Sequence, residues 1–184
     1  MQKIQVQGVH HITLNGADRK TSVDFWEGML GMPLIFEQPN LDAPHINHLY
    51  FDPGDGRLIT VFTEEERKPG GQVQDQVGSI HHLAFSVSLA SWNLAVRRLK
   101  ENGIASSGPI DRGFMWSIYF REPCGQLIEL ACYKFEPPEG VSHAQVLRIA
   151  HDLRVLRGGK NIEDVDIAES LETLMASRDL SLND

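Results

Sequence analysis

An internal repeat is the feature of this chain that most restricts its fold. Three segments recur in the same order at an offset of about seventy residues, which indicates two homologous modules in tandem. The matching pairs are residues 10–14 (HHITL) with 81–85 (HHLAF), 48–53 (HLYFDP) with 117–123 (SIYFREP), and 56–61 (GRLITV) with 125–130 (GQLIEL). The fold is therefore expected to consist of two copies of one small unit.

The two copies differ at one chemically important position. The first copy has Thr60 where the second has Glu129, whereas His11 and His82 match each other. The repeat thus supplies two histidines and a single carboxylate. Two histidines and one carboxylate, with coordination positions left open, are the ligand set of non-haem Fe(II) oxygenases.

Charge and cysteine content narrow the possible partners. The 184 residues carry a formal net charge of −8, which argues against nucleic acid and against an anionic membrane surface. No apolar leader opens the sequence, and no apolar run is long enough to span a bilayer. Cys124 and Cys132 lack a C-x-x-C arrangement, so we expect two free thiols in a reducing, cytoplasmic setting.

Hydrophobic periodicity predicts the order βαβββ in each module. In the first module the helix is expected to begin after Asp18 or Thr21 and to end at Gly31. The predicted elements are strands 9–15, 33–37, 45–51 and 57–62 in the first module, and strand 80–87, helix 91–101, a weak strand 105–110 and strands 115–121 and 126–133 in the second. The predicted domains are residues 1–66, a linker at 67–78, residues 79–136, and a helical extension at 137–184.

The predicted fold class is α+β. Each module forms a curved sheet with open edges, so we expect the two to pair into a half-open barrel whose inner side chains converge. The extension has no counterpart in the repeat and is expected to form two helices, 142–156 and 162–175, packed outside the barrel or across a dimer. Its apolar stripe favours a two-fold homodimer. The stripe residues are Val146, Ile149, Leu153, Leu171 and Leu174.

Strand alternation selects one histidine from each His-His pair, because neighbours on a strand point to opposite faces. His11 shares its face with Thr13, while His10 shares its face with the core residues Ile12 and Leu14. By the same rule His82 lies with Ala84, and Glu129 alternates against its apolar neighbours. A lone strand histidine is more often structural. The match between two copies, together with a buried carboxylate that needs a partner, favours a metal site.

These motifs resemble the vicinal oxygen chelate superfamily, which includes glyoxalase I, extradiol dioxygenases, fosfomycin-resistance enzymes and bleomycin-binding proteins. The resemblance rests on H-x-x-L in the first strand and G-x-x-x-E-L in the last strand of a module. Residues 9–13 (VHHIT), 23–26 (VDFW), 47–51 (NHLYF), 110–112 (IDR) and 117–123 (SIYFREP) are similar to hydroquinone-type ring-cleaving dioxygenases. The resemblance covers roughly residues 8–135. Those dioxygenases usually have four modules and about twice the length of this chain.

The resemblance implies a role for seven residues of this chain. The metal ligands fall on His11, His82 and Glu129, and the acid-base and substrate groups fall on Thr13, His81, Arg112 and Tyr119. Three alternatives stay open: Arg112 could form a turn ion pair with Asp111, Tyr119 could be an ordinary strand aromatic, and alternation points His81 away from the barrel.

The implied function is a metal-dependent dioxygenase that cleaves the ring of a hydroquinone or catechol, with Fe(II), or alternatively Mn(II), Zn(II) or Ni(II), as the metal. The implied partners are a small aromatic or carbonyl substrate and O2. Two other classes share the fold, namely a glyoxalase-like lyase or isomerase and a metal-free small-molecule-binding resistance protein. Thr60 stands where glyoxalase I has a fourth protein ligand, which argues against that activity.

Overall fold

The computed structural model of the chain describes residues 3–71, 73 and 76–181, with side chains described up to residue 177. No helix in this part of the chain is both long and apolar enough to cross a membrane. The elements are β1 (His11–Asn15), α1 (Arg19–Val23) continuing into a π-helical segment (Asp24–Met29), β2 (Leu34–Asn40), β3 (Ala43–Phe51), β4 (Leu58–Thr63), β5 (His82–Ser86), α2 (Leu89–Glu101), β6 (Ile110–Asp111), β7 (Met115–Arg121), β8 (Leu127–Tyr133), α3 (His143–Leu156) and α4 (Asp164–Ser181).

The chain divides into two compact units, residues 1–81 with 121–127 and residues 82–120 with 128–184. Each unit holds one four-stranded sheet, in the order β1-β4-β3-β2 and β5-β8-β7-β6. Two βαβββ modules of mixed sheets confirm the predicted α+β class. Their pairing into a half-open barrel and the predicted domain bounds stay predictions, and linker residues 72, 74 and 75 lie outside the described part of the chain.

The first sheet has one face covered by its helix and one face that carries polar and aromatic groups. β1 is parallel to β4, and β3 is antiparallel to both β4 and β2. Leu49, Phe51 and Val61 are almost fully buried on the helix-covered face, where the ring centroids of Trp26 and Phe51 are 6.4 Å apart. Strand alternation therefore sends the residues between them to the opposite face.

Local chemistry explains how this helix begins and how closely it packs. The side chain of Asp18 accepts a hydrogen bond from the amide of Thr21 at 2.8 Å, so Asp18 is the N-cap. A Cβ on Gly16 would lie 2.4 Å from Val61 Cγ1, which explains glycine at the close contact before the helix. Gly31, with φ of 73°, follows the π-helical segment, as the sequence predicted.

The second strand of the second module is where the sequence prediction is wrong. A weak strand was expected over residues 105–110, but β6 contains only Ile110–Asp111. Upstream of it the chain makes a single isolated bridge between Ser106 and Phe120. Gly108 has φ of 70°, and the following proline cannot donate a ladder hydrogen bond, so the segment cannot pair continuously.

The two helices of the extension pack on the second unit. Val146 and Ala150 on α3 and Ile167 on α4 are buried against Phe135, which follows β8. Ser142 and Gln145 form a reciprocal capping box that starts α3. Leu171 and Leu174 pack against the same cluster. Part of the apolar stripe that the sequence assigned to a dimer interface is thus covered within the chain.

Candidate metal site

In the second unit, β5 and β8 bring His82 and Glu129 into direct contact. His82 Nε2 lies 2.9 Å from Glu129 Oε2. Glu129 is only 2% exposed, although it lies between the apolar side chains of Ile128 and Leu130. Its second oxygen, Oε1, is buried and has no hydrogen-bond partner among the described residues.

That arrangement fits a divalent cation. Leaving a buried carboxylate oxygen without a partner costs free energy, and a bound cation would remove the cost. An imidazole nitrogen and a carboxylate oxygen close to each other are suitable ligands for Fe(II), Mn(II), Ni(II) or Zn(II). Within each unit, no three His, Cys, Asp or Glu side chains among the described residues are arranged to hold a metal. His82 and Glu129 would therefore need a further ligand.

Tyr119 and Arg112 lie on the same side of this unit as His82. The rings of His82 and Tyr119 meet edge to face with centroids 5.6 Å apart. Arg112 Nη2 donates to the Tyr119 hydroxyl at 3.3 Å, and its guanidinium carbon lies 5.7 Å from the centre of the Tyr119 ring. Asp111, the alternative partner of Arg112, pairs with Lys134 at 3.3 Å. The structure thus joins His82, Glu129, Tyr119 and Arg112 in one cluster.

In the first unit, Thr60 and Thr13 are neighbours on β4 and β1. Thr60 is fully buried, and its hydroxyl donates to the Thr13 hydroxyl at 2.8 Å. His11 lies two residues before Thr13 and therefore on the same face of the sheet. Its Nδ1 is 2.8 Å from Nδ1 of His10. The first unit thus places a hydroxyl pair where the second unit has a carboxylate.

The same face of the first sheet carries a row of four aromatic rings, which we call the aromatic row: Phe36, Tyr50, His48 and Phe62. Residues that pair directly across neighbouring strands share a face of the sheet. Thr13 pairs with Thr60, Thr60 with Tyr50, and Tyr50 with Phe36, so all four side chains lie on one face. The ring centroids are 4.0 Å apart for Phe36 and Tyr50, 4.2 Å for Tyr50 and His48, and 4.4 Å for His48 and Phe62.

His48 is the polar group within the aromatic row. Its Nδ1 is 2.8 Å from the Tyr50 hydroxyl, and its Nε2 is buried without a hydrogen-bond partner in the described part of the chain. Burial lowers the pKa of His48 below its ordinary value, and the charge of His11 lowers it further. His48 is therefore expected to be neutral near pH 7. The sequence does not indicate that Phe36 and Phe62 lie on the same face as His48, because only the strand register shows it.

His81 lies just before β5, where its carbonyl oxygen accepts a hydrogen bond from Gln126 Nε2 at 3.5 Å. The roles assigned to it and to the other six residues stay predictions. Among those residues, the structure places His11 with Thr13 in one unit, and His82 with Glu129, Tyr119 and Arg112 in the other.

Two βαβββ modules that each present a histidine on the first strand define a class of tandem-module α+β proteins. The sequence model of one protein family, the Glyoxalase/Bleomycin resistance protein/Dioxygenase superfamily, matches residues 8–130. The chain belongs to that superfamily.

Known relatives differ in length and in chemistry. The chain is 28% identical over 129 residues to MhqO of Bacillus subtilis, a proposed ring-cleaving dioxygenase, and the match covers 68% of this chain but only 40% of MhqO. It is 26% identical over 129 residues to the metallothiol transferase FosB of Staphylococcus epidermidis, covering 69% of this chain and 82% of FosB. A crystal structure of a proposed dioxygenase from Bacillus subtilis superposes with a TM-score of 0.59 at 27% identity, covering 68% of this chain and 40% of that one.

Proposed function

We propose that the chain is a metal-dependent dioxygenase that cleaves the aromatic ring of a hydroquinone or catechol. The observation that carries the proposal is the buried Glu129, paired with His82 through one oxygen and lacking a partner for the other among the described residues. The similarity to MhqO supports the choice of reaction. The chain spans about two-fifths of MhqO, so its substrate and activity are matters for experiment.

His11, His82 and Glu129 would hold the metal, with Fe(II) as the proposed ion. When bound, such a metal lowers the pKa of a coordinated phenol and brings substrate and O2 together. His81 and Tyr119 are the proposed proton-transfer groups, with His81 as the base for the substrate hydroxyl. The guanidinium of Arg112, bonded to the Tyr119 hydroxyl, would orient Tyr119 and stabilise negative charge on a substrate oxygen. Thr13, held by Thr60, would offer a hydroxyl beside His11.

The test is O2 consumption by protein loaded anaerobically with Fe(II). We expect O2 uptake with at least one hydroquinone or catechol and a ring-opened product in equal amount. Tyr119→Phe should lower the turnover rate by about 10²-fold or more, the usual contribution of a proton-transfer group. Fe(II)-loaded protein that binds phenols but consumes no O2 would contradict the dioxygenase.

A second candidate is a metal-dependent lyase, isomerase or group transferase that does not use O2. It is favoured by the match to FosB, which extends over 82% of that shorter protein. The same His82–Glu129 pair would serve such an enzyme by activating a coordinated substrate. Turnover that continues without O2, with Mn(II), Ni(II) or Zn(II) replacing Fe(II), would select it.

We further propose that the protein acts as a homodimer in a reducing, cytoplasmic setting. Ile149 and Leu153 on α3 are half-buried and Val155 and Leu156 are exposed, so apolar surface is left for a partner copy. Both cysteines are free thiols, which suits a reducing compartment.

A further inference from the structure

The aromatic row of the first sheet lies on the face opposite the helix-covered core. Phe36, at its edge, is 46% exposed, although a phenyl ring gains free energy from burial. Its ring is nearly parallel to that of Tyr50, with an interplanar angle of 17°. A flat aromatic molecule can extend such a stack in an offset or edge-to-face arrangement. The exposed edge of the row is therefore suited to receive another ring.

The pair formed by His48 and Tyr50 always leaves one hydrogen-bond donor unused between them. If the tyrosine hydroxyl donates to His48 Nδ1, the neutral imidazole carries its proton on Nε2. If Nδ1 donates to the tyrosine oxygen, the hydroxyl proton of Tyr50 is free. The buried Nε2 of His48 has no hydrogen-bond partner among the described residues, so the aromatic row contains a polar atom that could still form a hydrogen bond.

We propose that the aromatic row binds the ring of an aromatic substrate and that the His48–Tyr50 pair donates a hydrogen bond to an oxygen substituent on that ring. The ligand class is a planar phenol or hydroquinone, because stacking selects the flat ring and the donor selects its oxygen. His48 and Tyr50 are positioning residues here, and the inference rests on the proposed function, since it concerns the substrate of the proposed enzyme.

Calorimetric titration of the purified full-length protein without O2 would test this proposal. Three matched probes separate the two contributions: hydroquinone, 1,4-dimethylbenzene, which has the ring but no oxygen, and 1,4-cyclohexanediol, which has the hydroxyls but no aromatic ring. We expect hydroquinone to bind most tightly and the cyclohexanediol to show at least about tenfold weaker binding, equivalent to about 1.4 kcal/mol.

Variants then assign the binding to residues. His48→Phe and Tyr50→Phe retain a ring but remove the polar atoms, so each should weaken hydroquinone binding about tenfold and leave dimethylbenzene, which has no oxygen, nearly unchanged. Phe36→Leu should weaken both aromatic probes, because it removes the stacking surface. His151→Phe on α3 is the control, since His151 is an exposed histidine of the other unit.

Several results would overturn the proposal. One is equal affinity for hydroquinone and cyclohexanediol, and another is the absence of hydroquinone binding. A third is a hydroquinone affinity that is unchanged in His48→Phe, Tyr50→Phe and Phe36→Leu, once circular dichroism has verified that each variant is folded. The readout is separate from O2 uptake. If these variants weaken the binding of hydroquinone but the protein cleaves no ring, only the proposed dioxygenase activity is refuted. If the protein cleaves a ring but these variants leave hydroquinone binding unchanged, only the proposed role of the aromatic row is refuted.

Discussion

At the scale of single residues, Glu129 is the most informative position, because a buried carboxylate among apolar side chains is stable only with a partner. We predict that Glu129→Ala loses bound metal and stays folded. Glu129→Gln retains the shape and one hydrogen bond but should also bind metal at least about tenfold more weakly, since the ligand charge is gone. Metal content after anaerobic loading and dialysis measures this.

The control for this experiment is Glu136→Ala, which removes an exposed carboxylate from the same unit. It should leave metal content unchanged. A Glu129→Ala protein that binds a full equivalent of metal would remove Glu129 from the proposed ligand set.

The thiol of Cys124 provides a second prediction at this scale. Burial raises its pKa to about 11, and the nearby charge of Glu122 adds to the effect. The ordinary pKa of a cysteine thiol is 9.0, so at pH 8 the thiolate fraction of Cys124 should be roughly 100-fold lower than that of a free cysteine. We expect correspondingly slow alkylation by iodoacetamide in the native protein and rapid alkylation in urea. Fast modification of native Cys124, located by peptide mass spectrometry, would contradict the burial.

At the scale of elements, the capping box identifies what starts α3. The Ser142 side chain accepts from the amide of Gln145, and the Gln145 side chain accepts from the amide of Ser142. Ser142→Ala should lower the free energy of unfolding by about 1 kcal/mol, the usual cost of losing an N-cap. Ser142→Asn, which retains a side-chain acceptor, is the matched control and should lose much less. Urea unfolding followed by circular dichroism compares the two variants.

The start of α4 should respond to acid through Asp166. A hydrogen bond from the amide of Glu163 lowers the pKa of Asp166, and the Arg157 side chain lowers it further. A lowered folded-state pKa contributes stability that is full above the unfolded value of 3.8 and is lost as pH falls through the folded value. Wild-type stability should therefore decline below about pH 3.8 more steeply than that of Asp166→Asn. Equal acid dependence of the two melting temperatures would contradict this role.

At the scale of the whole molecule, the C-terminal extension, residues 137–184, buries a hydrophobic cluster of the second unit. Val146 is fully buried, and α3 and α4 together cover Phe135. Deleting residues 141–184 should expose this cluster and give aggregates or monomers, whereas the full chain should sediment as a dimer at micromolar concentration. A truncated protein that stays soluble and dimeric would show that the helices are not part of the assembly.

Sequence alone determined the parts of this protein that depend on periodicity and local chemistry. Strand β7 has the predicted bounds, residues 115–121, because aromatic and β-branched residues are common in it and turn residues bound it. Asp18, one of the two predicted caps, starts the first helix, and glycine with positive φ ends it, since both are local requirements. The repeat correctly indicated two βαβββ modules, because homologous segments adopt the same fold.

The tertiary structure decided what depends on contacts between strands and helices. Continuous pairing over residues 105–110 failed because Gly108 turns the backbone away from its neighbour. Strand register placed Phe62 beside His48 and Phe36 beside Tyr50, and no local pattern contains that information. The contact between His82 and Glu129 joins residues 47 positions apart in sequence (129 − 82), so only the folded sheet could bring the two side chains together.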